Sequence, residues 1–162
     1  MNRRECLERA TQATLAILTL PLVPGCGDEA ADATLGTPTN AALEMFKTKA
    51  ASLEATMIYD KSTQWKGTDK AATHVPTVTV TGNTAVVETP HVLTNAHYIT
   101  ALYLKNQKGE IIAFAELAQP VAQEMMPKAT ATLTLPAGTT QVTAFSHCNL
   151  HDVWKSDPVS AA

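Results

Sequence analysis

From residue 61 to residue 162 the sequence predicts an all-β fold, an immunoglobulin-like antiparallel β-sandwich that follows a single N-terminal helix and an export signal. Three observations carry this expectation. Short runs rich in Val, Thr, Ile and aromatic residues repeat with period two, clusters of Gly, Pro and Asn separate them, and beyond about residue 60 no stretch repeats its apolar positions at helical spacing. Six or seven strands with no helices between them pair antiparallel and bury one face each in a two-layer stack.

A chain of 162 residues with 45% apolar content supplies one core. The net charge of -3 and the lack of basic clusters exclude the electrostatic footprint of a nucleic-acid partner, because Lys and Arg must neutralise phosphates there. Cysteines at positions 6, 26 and 148 are too few and too scattered for a disulfide framework.

Taken in order, residues 1–26 have the marks of a targeting signal: Arg3 and Arg4 give a positive start, and Ala13 to Val23 is an apolar run too short to span a bilayer stably. The Arg pair resembles a twin-arginine signal, with an ordinary secretory signal as the alternative. Leu22-Val23-Pro24-Gly25-Cys26 resembles a lipobox, so Cys26 is expected to be lipidated. The domain is then exported, either periplasmic or anchored as a lipoprotein outside the cytoplasm.

Residues 27–38 are small, acidic and helix-breaking with almost nothing to bury, and read as a flexible tether. An amphipathic helix is expected over 39–60. Thr39 or Asn40 caps it, and Leu43, Phe46, Ala50, Leu53 and Met57 recur at alternating steps of three and four. That stripe either packs on the domain's own sheet or pairs with a second copy to make a homo-oligomer. Strands follow at Thr77–Val80, Ala85–Val87, Ile99–Leu104, Glu110–Leu117, Ala129–Leu135 and Gln141–Phe145, with a hairpin around Lys108-Gly109. The run Ala129 to Leu135 alternates cleanly enough to require one core face and one solvent face.

The chemistry-bearing residues are His74 in Thr-His-Val-Pro, His91 and His97 six residues apart, and the pair Cys148 and His151 in Cys-Asn-Leu-His. A lone His in a loop is more often a surface or hydrogen-bonded residue than a ligand. Here, however, four His and one Cys all fall at strand ends or in loops, where a rigid sandwich can make ligands converge. They are expected to bind one metal. Four imidazoles and a thiolate exceed the tetrahedral preference of structural zinc, and leave one octahedral position open. His147 should point away from the others, since side chains alternate along a strand. Trp154 and Tyr98 are expected to pack beside the ligands and shield them.

In this order Cys-x-x-His, His-x5-His and His-Val-Pro resemble the iron-binding half of superoxide reductase, the desulfoferrodoxin or neelaredoxin family, over roughly residues 70 to 155. The resemblance implies an immunoglobulin-like sandwich holding one iron per chain, cycling between Fe(2+) and Fe(3+). Its four equatorial ligands would be His74, His91, His97 and His151, and its axial ligand Cys148. The implied activity is the one-electron reduction of superoxide to hydrogen peroxide, with an external one-electron donor as partner. The implied catalytic residues are Cys148, whose thiolate pushes electron density through the iron, and His74, beside the open position. One departure stands out. The family often has Glu-Lys before His-Val-Pro, where this chain has Ala72-Thr73, so only Lys70 or Lys66 is near enough in sequence to replace that Lys. With no further cysteines to hold a second iron, this would be a one-iron member needing an external electron donor; the uncharged Ala72-Thr73 pair and the unknown donor motivate the alternative, a non-catalytic exported metal-binding or electron-transfer module using Fe, Zn or Cu.

Overall fold

The computed structural model describes residues 39–121 and 125–161. The expected signal segment 1–26, with Cys26, and the tether 27–38 lie outside the described residues.

Helix α1 spans Asn40–Leu53. Thr39 starts it by accepting the Ala42 N–H on its side-chain oxygen at 3.3 Å, which satisfies one of the free donors at a helix N-terminus. Phe46 and Ala50 are buried, with Leu43 and Leu53 packed beside them. The helix stops short of residue 60 because Glu54, at its C-cap, is drawn to the sheet: it accepts from the Tyr103 hydroxyl at 2.7 Å and from Lys105 Nζ at 2.5 Å. Met57, the last member of the expected stripe, is 54% exposed.

Among the described residues nine strands follow, with one short helix: β1 (Ile58–Tyr59), α2 (Ala71–His74), β2 (Thr77–Thr81), β3 (Thr84–Thr89), β4 (Ile99–Asn106), β5 (Ile111–Glu116), β6 (Ala129–Thr134), β7 (Gln141–Cys148), β8 (Asp152–Lys155) and β9 (Val159–Ser160). One sheet has the order β1-β8-β7-β4-β5, with β9 also on β7, and the other is β2-β3-β6. Alternate residues of both sheets meet in one core, among them Val87, Leu102, Leu104, Leu133, Val142 and Cys148. Strand β4 is buried on its other face too, under α1, where Tyr103 stacks on Phe145 at 5.0 Å and meets the edge of Phe46 at 5.4 Å. Burial on both faces explains why β4 reads as a nearly unbroken apolar run.

The sandwich is therefore the expected one, and it differs at β9, a two-residue strand on β7, and at three further places. β1 pairs parallel to β8, Ile58 opposite Val153 and Tyr59 opposite Trp154. A two-residue strand leaves no periodic signal. β7 extends beyond Phe145 to Cys148 and turns back through Asn149–His151 into β8, a hairpin that the spacing of motif residues masks. α2 is a single turn that ends at His74, because Val75 precedes Pro76 and takes extended dihedrals. Among the described residues no helix is long and apolar enough to cross a membrane.

Candidate metal centre

One end of the sandwich collects the start of β2, the end of β3, the start of β4 and the β7–β8 turn. His74 enters from α2, His91 and His97 from the β3–β4 loop, and Cys148 and His151 from the hairpin. The donor atoms of all five lie within 4.8 Å of one another.

Several of these residues are placed by identifiable bonds. Ser146 Oγ donates to the His74 carbonyl at 2.6 Å and locks α2 onto β7. His74 Nδ1 lies 3.0 Å from the Lys70 carbonyl and 2.8 Å from Thr73 Oγ1. A carbonyl can only accept, so Nδ1 carries the proton and Nε2 presents its lone pair inward. His97 is held by a closed turn in which Thr94 N–H donates to the His97 carbonyl at 2.8 Å and His97 N–H donates back at 3.2 Å. Asn149 staples the hairpin to the β3–β4 loop, its Nδ2 donating to the Ala96 carbonyl at 2.9 Å and its Oδ1 accepting from Tyr98 N–H at 3.0 Å. Trp154 is fully buried; its Nε1 donates to the His151 carbonyl at 2.8 Å, and its ring lies 5.4 Å from that of His74.

Four rings form a closed circuit in the order His74, His91, His97, His151, with neighbours at 4.3 to 4.7 Å and interplanar angles of 74° to 88°. The diagonal pair His74 and His97 is farther apart, at 6.0 Å. His74 Nε2 to His151 Nδ1 is 2.9 Å, His151 Nδ1 to His97 Nε2 is 3.0 Å, and His97 Nε2 to His91 Nε2 is 3.0 Å. Cys148 Sγ caps the circuit at 3.2 Å from His97, 3.5 Å from His151 and 3.9 Å from His91.

Hydrogen bonds cannot account for this packing. His97 Nε2 meets two ring nitrogens and a sulfur at once, and one proton cannot serve three partners. A cation satisfies every lone pair together. The three nitrogen-to-nitrogen separations of 2.9 to 3.0 Å are those of adjacent imidazole donors each about 2.1 Å from one shared cation. The residues present therefore fit a mononuclear metal with four imidazoles and one thiolate.

Protonation favours the same occupant. Burial, reinforced by the neighbouring rings, lowers His74 to about 3 and His91 to about 4. Burial also lowers His97 and His151, so all four imidazoles are neutral at pH 7. The Cys148 thiol is raised by burial, so a metal must displace its proton on binding. His147 stands apart on the outer face of β7, its Nδ1 2.6 Å from Thr100 Oγ1.

Ala72 and Thr73 are exposed and bring no charge. Lys70 is half-buried, and its charge acts on His97, His151 and Cys148, whereas that of Lys66 acts on His151. Sequence reasoning misses Trp65, whose ring stands edge-on to His151 at 4.6 Å, and Asp152, which accepts the Trp65 indole N–H at 2.8 Å. A lone Trp in the polar run Ser62 to Lys70 is the signal that was there to be read, because an indole needs cover.

The desulfoferrodoxin family model matches residues 66–157, more than half of the 162-residue chain, and that span includes all five donors. No curated protein matches the chain. Among solved structures it is similar to the superoxide reductase from Treponema pallidum, at 32% identity over 55% of this chain and 69% of that one, with a TM-score of 0.44. It is also similar to the superoxide reductase (neelaredoxin) from Ignicoccus hospitalis, at 24% identity, 68% and 94% coverage and a TM-score of 0.45. A third is the one-iron superoxide reductase from Giardia intestinalis, at 19% identity, 54% and 97% coverage and a TM-score of 0.45.

Proposed function

The chain belongs to the desulfoferrodoxin family, and on that premise we propose that it is a superoxide reductase with one iron held by His74, His91, His97, His151 and Cys148. The reaction takes one electron and two protons per superoxide and releases hydrogen peroxide. The observation that carries the reading is the closed circuit of four neutral imidazoles capped by one thiol. Bound iron supplies the electron and an open position for the anion. The chain's own residues do the rest. The Lys70 carbonyl keeps His74 in the tautomer that ligates through Nε2. Trp154 covers the inner side against water. Cys148 gives up its proton and donates as thiolate, and Lys70 draws the anion toward the ligands in place of the Lys absent at position 73.

The test uses the full chain, loaded anaerobically with ferrous iron and mixed with superoxide by pulse radiolysis. Expected are accelerated loss of superoxide and one peroxide per superoxide consumed. Decay at the uncatalysed rate, with only the half peroxide per superoxide that spontaneous dismutation gives, would sink the reading. A second reading draws on the uncharged Ala72-Thr73 pair: a metal-binding or electron-transfer module holding Fe, Zn or Cu without reducing superoxide. Metal analysis of protein from its native compartment separates them, since stoichiometric colourless zinc supports the module. Export and tethering through Cys26 belong to the same proposal, as does an external electron donor. Lipid labelling that survives Cys26→Ser would overturn the tether.

A further inference from the structure

His151 is the ligand carried by the turn between β7 and β8. It sits in the Asn149–His151 turn, is only half-buried, and offers Nδ1 where the other three offer Nε2. What flanks its ring is Trp65, from far earlier in the chain. The Trp65 ring stands at 84° to it, 4.6 Å away, and the Trp65 indole N–H is bonded to Asp152, the residue that follows His151. Asp152 has φ 61, the left-handed conformation an Asp tolerates, so the bond pins the hairpin where the backbone reverses.

Trp65 is itself held. Its N–H donates to the Thr68 carbonyl at 3.0 Å and its carbonyl accepts the Thr68 N–H at 2.8 Å, around Lys66 at φ 47 and Gly67 at φ 76. Two successive positive φ values are those of the tight hairpin turn that favours Gly at its second position. Lys66 Nζ sits 4.4 Å from the centre of the Trp65 ring. A short turn thus stands an indole edge-on against one ligand ring.

We propose that the Trp65 turn is a latch that retains the metal: Trp65 is a positioning residue that stops the His151 ring from swinging away, both by edge contact and through Asp152. The proposal rests on the metal-centre reading above. For the metal to leave, its ligands must detach in sequence, and the first to go is the one free to rotate. Trp65 sets that first step.

The experiment follows the full chain loaded with Co(2+), whose absorption reports the ligand set without any turnover, as excess chelator removes it. Trp65→Ala is expected to release cobalt about 10- to 100-fold faster, the range by which outer partners of metal ligands affect binding. Trp65→Phe keeps an edge against His151 but has no N–H, and Asp152→Gly removes the acceptor at a backbone conformation Gly accepts. Each is expected to release about fivefold faster, the worth of one hydrogen bond. In the metal-free protein Trp65→Phe should lower the melting temperature by no more than the loss of one hydrogen bond, whereas a merely structural role for the indole would leave the cobalt release rate at the parent's value. Should Trp65→Ala fail to fold, the other two variants decide. A parent that holds cobalt and variants that release it at the parent's rate overturn the latch alone. A parent that takes up no cobalt overturns the metal centre and the latch together.

Discussion

His97 Nε2 meets three of the other donors: His91 and His151 at 3.0 Å and Cys148 at 3.2 Å. His97→Ala should therefore lower metal occupancy strongly, because a ring in the circuit is lost and water cannot recover the bond; metal analysis after desalting checks it. Cys148→Ser should keep part of the metal but lose the thiolate-to-iron charge-transfer band of the oxidised protein, since a hydroxyl is a harder and weaker donor. An intact band would show that Cys148 is not bound. Charge is the other issue at this scale. Lys70→Ala should slow the reaction with superoxide about tenfold and flatten its ionic-strength dependence, while Thr73→Lys should raise the rate and steepen that dependence. If Lys70→Ala changes neither rate nor salt slope, Lys70 does not serve the anion.

The helix α1 and the hairpin β7–β8 divide the work between them. α1 packs on the outer face of the larger sheet, where Phe46 stacks on Phe114 at 4.3 Å and meets the edge of Tyr103. The metal centre lies at the end of the sandwich, on the inner side of β7. Phe46→Ala should therefore destabilise the protein by about 3–5 kcal/mol in urea melts, as loss of a buried aromatic does, while leaving the metal spectrum unchanged. A change in that spectrum would mean that α1 helps to shape the site. The helix is attached at its far end by Glu54, which serves both Tyr103 and Lys105. Burial first, and then Glu54, hold the Tyr103 hydroxyl above the usual phenol range, so this tie stays intact across ordinary pH.

For the whole molecule the four neutral imidazoles set the acid limit. In the metal-free protein His74 and His91 titrate near 3 and 4, against about 6.5 in the unfolded chain. Between those values the unfolded state binds more protons, so stability falls as pH drops below about 6.5 and the loss is complete only below the folded values. Melting temperature measured in chelator from pH 8 to pH 4 should show this decline, and the double variant His74→Gln with His91→Gln should flatten it. Metal binding adds stability by mass action and displaces the Cys148 proton, so metal affinity should rise with pH.

Two kinds of information were legible without coordinates. Period-two runs marked β2 to β7, since a half-buried sheet must alternate along its length, and the clean alternation of Ala129 to Thr134 appears as burial on every second residue. The donor set was legible as well, because ligand residue types at spaced positions are a property of the chain: His74, His91, His97, Cys148 and His151 are the five that converge. Tertiary structure alone decided what depends on distant partners. β1 exists because β8 offers it an edge, and α1 ends early because Glu54 has Tyr103 and Lys105 to bond. Which side of His151 is covered was settled the same way, by an indole that meets Asp152 across 87 residues. Periodicity records the face a residue turns to its own element, whereas a contact between elements is fixed only once both have found their places.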